Sequence, residues 1–228
     1  MTHGVRVIAI DGPVAAGKTV VGRELARRLG FRYLDTGVMY RAITWLALKE
    51  KTSMEDEVGL EALALNHPIR LDGSDSDRVA VGEYKVGPEL RESDVDRHVS
   101  LVSRVSGVRR ALVAQQRTIA SEGDIVVVGR DIGTVVLPNA DLKVFISASL
   151  EERARRRWRE LVAKGTPADF QQVLEGAKAR DDLDSQRADS PLQPAKDAWF
   201  METDAVSADD VVEMILEKIN QSSQVDRV

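Results

Sequence analysis

The sequence contains no cysteine, which excludes a disulfide scaffold, a thiolate zinc site and a cysteine nucleophile. Its three histidines, His3, His67 and His98, stand far apart without ligand spacing, so a histidine-held metal is not expected. Aromatic residues make up 4% of the chain, too few to stack bases along a nucleic-acid strand. Positive charge is not in excess either: 32 Lys and Arg against 37 Asp and Glu leave a net charge of −5, the wrong sign for broad nucleic-acid binding. Apolar runs such as Ile125–Val128 are far too short to span a bilayer. The N-terminus lacks a basic start followed by a long apolar segment, so no signal peptide is expected. Internal repeats and low-complexity tracts are also missing. What is present is ordinary for a globular protein: 228 residues, 43% hydrophobic and 30% charged, enough for one sizeable core with small appended subdomains. The expectation is an acidic, cytoplasmic α/β protein with no membrane or nucleic-acid partner.

Val5 to Ile10 is mostly apolar and rich in β-branched residues, and Asp11-Gly12-Pro13 stops it, as for a buried strand. From Thr19 the pattern turns helical, with Val21, Leu25 and Leu29 at four-residue spacing and Gly30 as C-cap. Further buried strands are expected at Arg32–Leu34, Ile125–Val128, Leu142–Ser147 and Ala198–Met201. Helices are expected near 38–49, 94–104, 108–121, 150–163, 168–183 and 207–220. Strands alternating with helices favour a parallel sheet. Residues 66–93 break the rhythm with Pro68, Gly73, Gly82, Gly87 and Pro88, around β-like pieces at Ile69–Leu71 and Arg78–Val81. Apolar residues still alternate there, so a small inserted subdomain is expected. The polar end, Gln221 to Val228, is expected to fray.

Gly12-Pro13-Val14-Ala15-Ala16-Gly17-Lys18-Thr19 fits G-x-x-x-x-G-K-[ST] in full and lies between a buried strand and a helix. The glycines let backbone N–H groups converge on phosphate oxygens, and the helix N-terminus, continuing through Val20, adds a favourable dipole. Lys18 can reach the β- and γ-phosphates of ATP, and the Thr19 hydroxyl can ligate Mg²⁺. The bland alternative, a glycine turn, does not require this full pattern in this context. No guanine-reading Asn/Thr-Lys-x-Asp segment follows a later strand, so a GTPase is disfavoured, and a small kinase is the economical reading.

Three further segments place polar residues at strand ends, where open parallel sheets bind ligands. In Leu34-Asp35-Thr36-Gly37-Val38-Met39-Tyr40-Arg41, the alternative to a site is a helix N-cap at Asp35 or Thr36 with a solvated arginine. In Val128-Gly129-Arg130-Asp131-Ile132-Gly133-Thr134, a charged pair bracketed by glycines follows an all-apolar strand, which favours function. On a helix, Arg180, Asp184 and Arg187 share one narrow face, and from spacing alone a surface salt-bridge ladder is the better reading. Five arginines crowd Arg153–Arg159. Arg153, Arg156 and Arg157 share a face, while Ala154, Trp158 and Leu161 form an apolar stripe. A solvated face is the usual explanation for such a run, but beside an NTP loop a lid clamping the transferring phosphates explains it better.

Together these segments resemble the bacterial cytidylate kinase family of P-loop nucleoside-monophosphate kinases. The likeness runs through I-D-G-P-x-A-A-G-K-T, L-D-T-G-x-M-Y-R, V-G-R-D-I-G-T-V-V, E-E-R-A-x-R-R and R-D-x-x-D-x-x-R followed by Ser190-Pro191-Leu192. It implies a P-loop NTPase-type parallel sheet flanked by helices, with a small acceptor-binding insert and a lid. The implied layout is one domain: a core of 1–36, 105–150 and 195–220, an acceptor subdomain of about 37–104 with its β-rich insert at 66–93, and a lid of about 153–190. The implied reaction is phosphoryl transfer from MgATP to CMP or dCMP by a monomer. By resemblance, Arg41, Arg130 and Arg187 hold the CMP phosphate, Ser100, Arg109 and Asp131 read the cytosine, and Arg180 and Asp184 contact the ribose. Thr36 sits close to the acceptor, Arg153, Arg156 and Arg157 contact ATP, and Lys18, Arg130 and Arg157 act in catalysis. Val14-Ala15 departs from the smaller or polar residues common in relatives, with no more than a stiffer loop expected. The alternatives are a P-loop kinase for another small acceptor, such as a different monophosphate or shikimate, and a non-enzymatic NTP- or RNA-binding module.

Overall fold

A computed structural model describes residues 4–71, 78–187 and 189–225. His3, Gly73 and Ala188, which fall within stretches read above, lie outside the described residues, as does the 226–228 end of the tail. The chain divides into two compact units, one formed by Met1–Phe31 with Asp124–Val228 and the other by Arg32–Gly123.

In the first unit, strands β1 (Val7–Asp11), β6 (Ile125–Gly129), β7 (Leu142–Ser147) and β8 (Trp199–Glu202) run parallel in the order β6-β1-β7-β8. Every residue of β6 is buried, the pattern of a strand covered on both faces and the reason its sequence is continuous Ile and Val. Register aligns Asp11 at the end of β1 with Gly129 at the end of β6 and with Phe145 in β7. Helices α1 (Lys18–Leu29) and α8 (Ala208–Val225) pack together, as do α6 (Leu150–Ala163) and α7 (Phe170–Ser185). Gly30 ends α1 in the left-handed conformation at φ 69°, where a residue without Cβ avoids a steric penalty. Ile8, Ile10, Leu25 and Ile125 are fully covered, each worth about 1.5–3 kcal/mol of hydrophobic stabilisation. The expected strands and helices appear with ends shifted by a few residues, and α8 continues to Val225, into the tail expected to fray.

The second unit holds β2 (Arg32–Asp35), α2 (Thr36–Glu50), α3 (Glu57–Asn66), α4 (Ser93–Val102) and α5 (Ser106–Ala120). It also holds a three-stranded antiparallel sheet, β3 (Ile69–Leu71), β4 (Val79–Val81) and β5 (Tyr84–Val86). The spacing predicts β3 and β4; β5 is an addition. It follows a two-residue turn, Val81 facing Tyr84, with Gly82 at φ 57°, a conformation that favours glycine. Helix α3 is also an addition. Its apolar residues, Val58, Leu60, Leu63 and Leu65, fall around much of the helix, so no single stripe announces it, and Val58 and Leu65 are exposed. Its start is nevertheless encoded, because the Asp56 carboxylate accepts the Gly59 N–H as an N-cap. Leu34, Met39, Ile43, Leu46, Leu60 and Leu112 form this unit's own core.

Candidate active site

The loop after β1 is shaped by two glycines. Gly12 lies at φ 150°, and a Cβ there would meet the Ile146 carbonyl oxygen at 2.0 Å, so only glycine fits. Gly17 lies at φ 97° and caps α1 without a side-chain hydrogen bond, and the first turn of α1 carries no acidic residue. The positive end of the helix is therefore left for an anion by its own sequence. Between the glycines, Ala15 adopts φ 57°, which for a residue with Cβ costs roughly 1–2 kcal/mol relative to glycine. The Val14-Ala15 departure thus carries backbone strain beyond the stiffness expected. Lys18 is buried, and its ammonium donates to the Pro13 carbonyl at 2.6 Å across the loop. Thr19 follows it in the first turn of α1, half-buried.

Two arginines of α6 brace this loop from outside. Arg153, buried, donates Nε to Ala148 O at 2.9 Å and Nη1 to Val14 O at 3.2 Å, and pairs Nη2 with Asp181 of α7 at 2.6 Å. Arg156 reaches Ala16 O at 3.5 Å, Thr203 Oγ1 at 3.3 Å and the Thr203 carbonyl. Arg157 turns along the helix to Glu160 at 2.9 Å, and Arg155 pairs with Glu151 and Glu152. The run is not an open basic patch. Most of these guanidiniums are committed to partners in the same unit.

After β6, Arg130 and Asp131 lead into a π-turn, Ile132–Val136. Arg130 Nε donates to Asp184 of α7 at 2.9 Å, and Arg187 pairs with the other oxygen of the same carboxylate. Asp184 is 2% exposed, so this face is no surface ladder. Burial works to raise its pKa, but the charges of Arg130, Arg187 and the neighbouring Arg180 outweigh it and hold the carboxyl below its ordinary value. Three guanidiniums bear on this one carboxylate, Arg130 and Arg187 by pairing with it and Arg180 through its charge, in a mostly buried place. Arg187 Nε is buried with no hydrogen-bond partner among the described residues. Such a cluster suits an anion.

The sequence offers Asp11 only as part of the Asp11-Gly12-Pro13 turn. Its carboxylate, 4% exposed, accepts the Ile132 N–H at 2.8 Å and the Gly133 N–H at 2.7 Å. Burial pushes its pKa up to about 6. The two N–H donors and Lys18 oppose that rise, and the Asp131 carboxylate adds to it. The available signal was the one that singled out Arg130: a charged residue at the end of a buried strand.

In the second unit, the Asp35 side chain caps α2 by accepting the Gly37 N–H at 2.9 Å, and Thr36 opens the helix with 5% exposure. Arg41 is not solvated: it donates to Leu90 O at 2.9 Å and pairs with Asp96 at 2.6 Å. Arg109, buried, lies 5.7 Å from the Tyr40 ring centroid and donates to Ser103 O at 3.3 Å, while Ser103 Oγ donates to Ser100 O at 3.1 Å. Ser103 thus links the two residues expected to read the base. Neither Ser103 nor Asp96 carries a motif by which sequence could single it out.

The profile of the cytidylate kinase family matches residues 8–221. A cytidylate kinase of Exiguobacterium is 48% identical over 209 residues, covering 91% of this chain and 93% of that protein. A cytidylate kinase of Listeria innocua is 46% identical over 217 residues, covering 95% and 97%. Among solved structures, an uncharacterised protein from Eubacterium ventriosum superposes with a TM-score of 0.50 at 14% identity, covering 94% of this chain and 98% of that one. That last likeness speaks to the fold alone.

Proposed function

The chain belongs to the cytidylate kinase family, an ATP-dependent phosphotransferase acting on CMP and dCMP, and from this premise we propose how its residues divide the work. The ATP phosphates lie in the Gly12–Thr19 loop and along the first turn of α1 to Val20. Arg156 and Arg157 contact them from α6, with Arg153 holding the loop between Val14 and Asp181. The CMP phosphate is assigned to Arg130, Arg187 and Arg41. Arg180 and Asp184 take the ribose, Asp131, Ser100 and Arg109 read the cytosine, and Thr36 stands beside the acceptor. The observation that carries this assignment is the cluster of Arg130, Arg180 and Arg187 on buried Asp184. Arginines gathered on one buried face suit a phosphate monoester dianion.

Mg²⁺ fits the chemistry of the loop. The Thr19 hydroxyl is a hard, neutral oxygen donor, which leaves most of the coordination shell to nucleotide phosphates and water, as this ion prefers. Bound there with ATP, it would supply charge neutralisation at the phosphates. The acceptor oxygen of CMP is already ionised at neutral pH, so no side chain need act as general base. Catalysis is then positioning and electrostatics: Lys18, Arg130 and Arg157 meet the charge that spreads over the transferring group. On this reading the enzyme acts as a cytoplasmic monomer. Among the described residues no helix is long and apolar enough to cross a membrane.

The test is ADP release measured with ATP and a series of acceptors. CMP and dCMP should drive turnover, and Arg130→Ala should raise KM for both with little change in ATP affinity. ADP release unaffected by CMP or dCMP would overturn the reading. So would Arg130→Ala that weakens ATP and CMP equally.

A further inference from the structure

Asp11 joins two loops that the reaction must hold in register. Its backbone pairs with Gly129, the residue before Arg130. Its carboxylate accepts from Ile132 and Gly133, the residues after Asp131. The next residue in the chain, Gly12, opens the phosphate loop. One side chain therefore grips the turn bearing Arg130 and Asp131 while its own backbone runs into the loop bearing Lys18. The grip is tight on the far side too. A Cβ at Gly133 would lie 3.4 Å from Asp11 Oδ2 and 3.2 Å from Lys143 Cδ. Lys143 in turn donates to Pro138 O at the exit of the turn and pairs with Asp197 at 2.8 Å.

A buried carboxylate beside another acid, Asp131, raises the free energy of its ionised form. A neutral acceptor such as Asn or Ser would avoid that burden if holding one N–H were all that was needed. Here two consecutive N–H groups each meet a different oxygen of one rigid fork, and among side chains of this length only Asp provides such a pair of acceptors.

We propose that Asp11 is a positioning residue that sets the register between the donor-phosphate loop and the Arg130–Asp131 turn. It touches neither nucleotide, so its loss acts on the reaction more than on the binding of either substrate. Misplacing reacting groups by about 1 Å costs on the order of 100-fold in rate even when both ligands stay bound. The proposal rests on the assignment of the loop to ATP and of Arg130 and Asp131 to CMP.

The experiment is Asp11→Asn, which keeps the shape but faces the second N–H with an amide donor. Its kcat should fall about 10–100-fold, while Kd for a non-hydrolysable ATP analogue and for CMP, each titrated alone, should stay within about threefold. A folded variant with kcat within about threefold of wild type overturns the proposal, as does a loss in either Kd as large as the loss in kcat. If Asp11→Asn does not fold, Gly133→Ala crowds the same contact from the other side without removing it, and the same split between kcat and the two Kd values decides. Failure of the underlying assignment looks different. There, Arg130→Ala would leave Kd for CMP unchanged whatever Asp11→Asn does.

Discussion

Replacing Asp184 with Asn tests the arginine cluster directly. The carboxylate is 2% exposed and joins Arg130, on the β6 turn, to Arg187, just past the end of α7. The substitution keeps size and one acceptor oxygen but removes the negative charge that Arg130 and Arg187 pair with and that Arg180 bears on. Removing one member of a buried ion pair costs about 3–5 kcal/mol, because the remaining charge is left uncompensated. Asn still accepts one hydrogen bond, which favours the lower end. For a chain of this size each kcal/mol moves Tm by about 2–4 °C, so a fall of roughly 6–12 °C is expected in thermal unfolding at neutral pH. Asp184 has a lowered pKa in the fold, so its contribution is present above the ordinary carboxylate range and lost as pH falls through the folded value. The gap between wild type and variant should therefore close in acid. Added CMP should raise Tm more in the variant than in wild type, since the phosphate then meets guanidiniums that have lost the Asp184 charge, while cytidine without phosphate should show no such difference. If Asp184 also accepts a ribose hydroxyl, kcat/KM falls more for CMP than for dCMP. An unchanged Tm together with an equal response to CMP in both proteins would refute the charge argument.

Lys18→Ala should lower kcat by roughly 10²–10³, the usual effect of removing one stabiliser of transition-state charge, with little change in folding; near-wild-type turnover in coupled ADP release would contradict its assigned role. Arg41→Ala should raise KM for CMP while a titrated ATP analogue binds as before, and it breaks the Arg41–Asp96 ion pair; equal weakening of both substrates would make Arg41 structural. Asp11, whose pKa burial pushes up to about 6 from an ordinary value near 3.8, favours the fold when protonated. Its contribution is fully present below about pH 4 and is lost as pH rises through 6, about 3 kcal/mol in all. Denaturant unfolding of Asp11→Asn across that interval should lack this part of the wild-type slope, and identical slopes would show that Asp11 does not titrate there.

The strand, glycine loop and helix of residues 7–29 were readable because every signal in them is local. A β-branched run, a spaced motif and a four-residue apolar repeat lie within one short stretch, and steric rules act at that range. The same holds for Arg130 and Asp131, where charge follows an apolar strand, and for the Gly30 cap. Short or unstriped elements fared worse: β5 is three residues long, and α3 has apolar side chains on nearly every side. In both, tertiary contacts set the structure more than periodicity does.

Which residues meet was beyond local reading. Asp184 is 54 positions from Arg130 and Arg153 is 139 from Val14. From spacing alone, the Arg180–Arg187 face looked like an exposed ladder. Burial of α7 against α6 made it a charged cluster. Asp11 acquired its partners only because parallel pairing sets β1 beside β6 in a register that brings Asp11 level with Gly129, with the π-turn immediately beyond. Sequence supplies the chemical groups and the local turns that expose them. Their pairing comes from the order and register of strands far apart in the chain, where burial strengthens each charge contact and makes each missing partner costly.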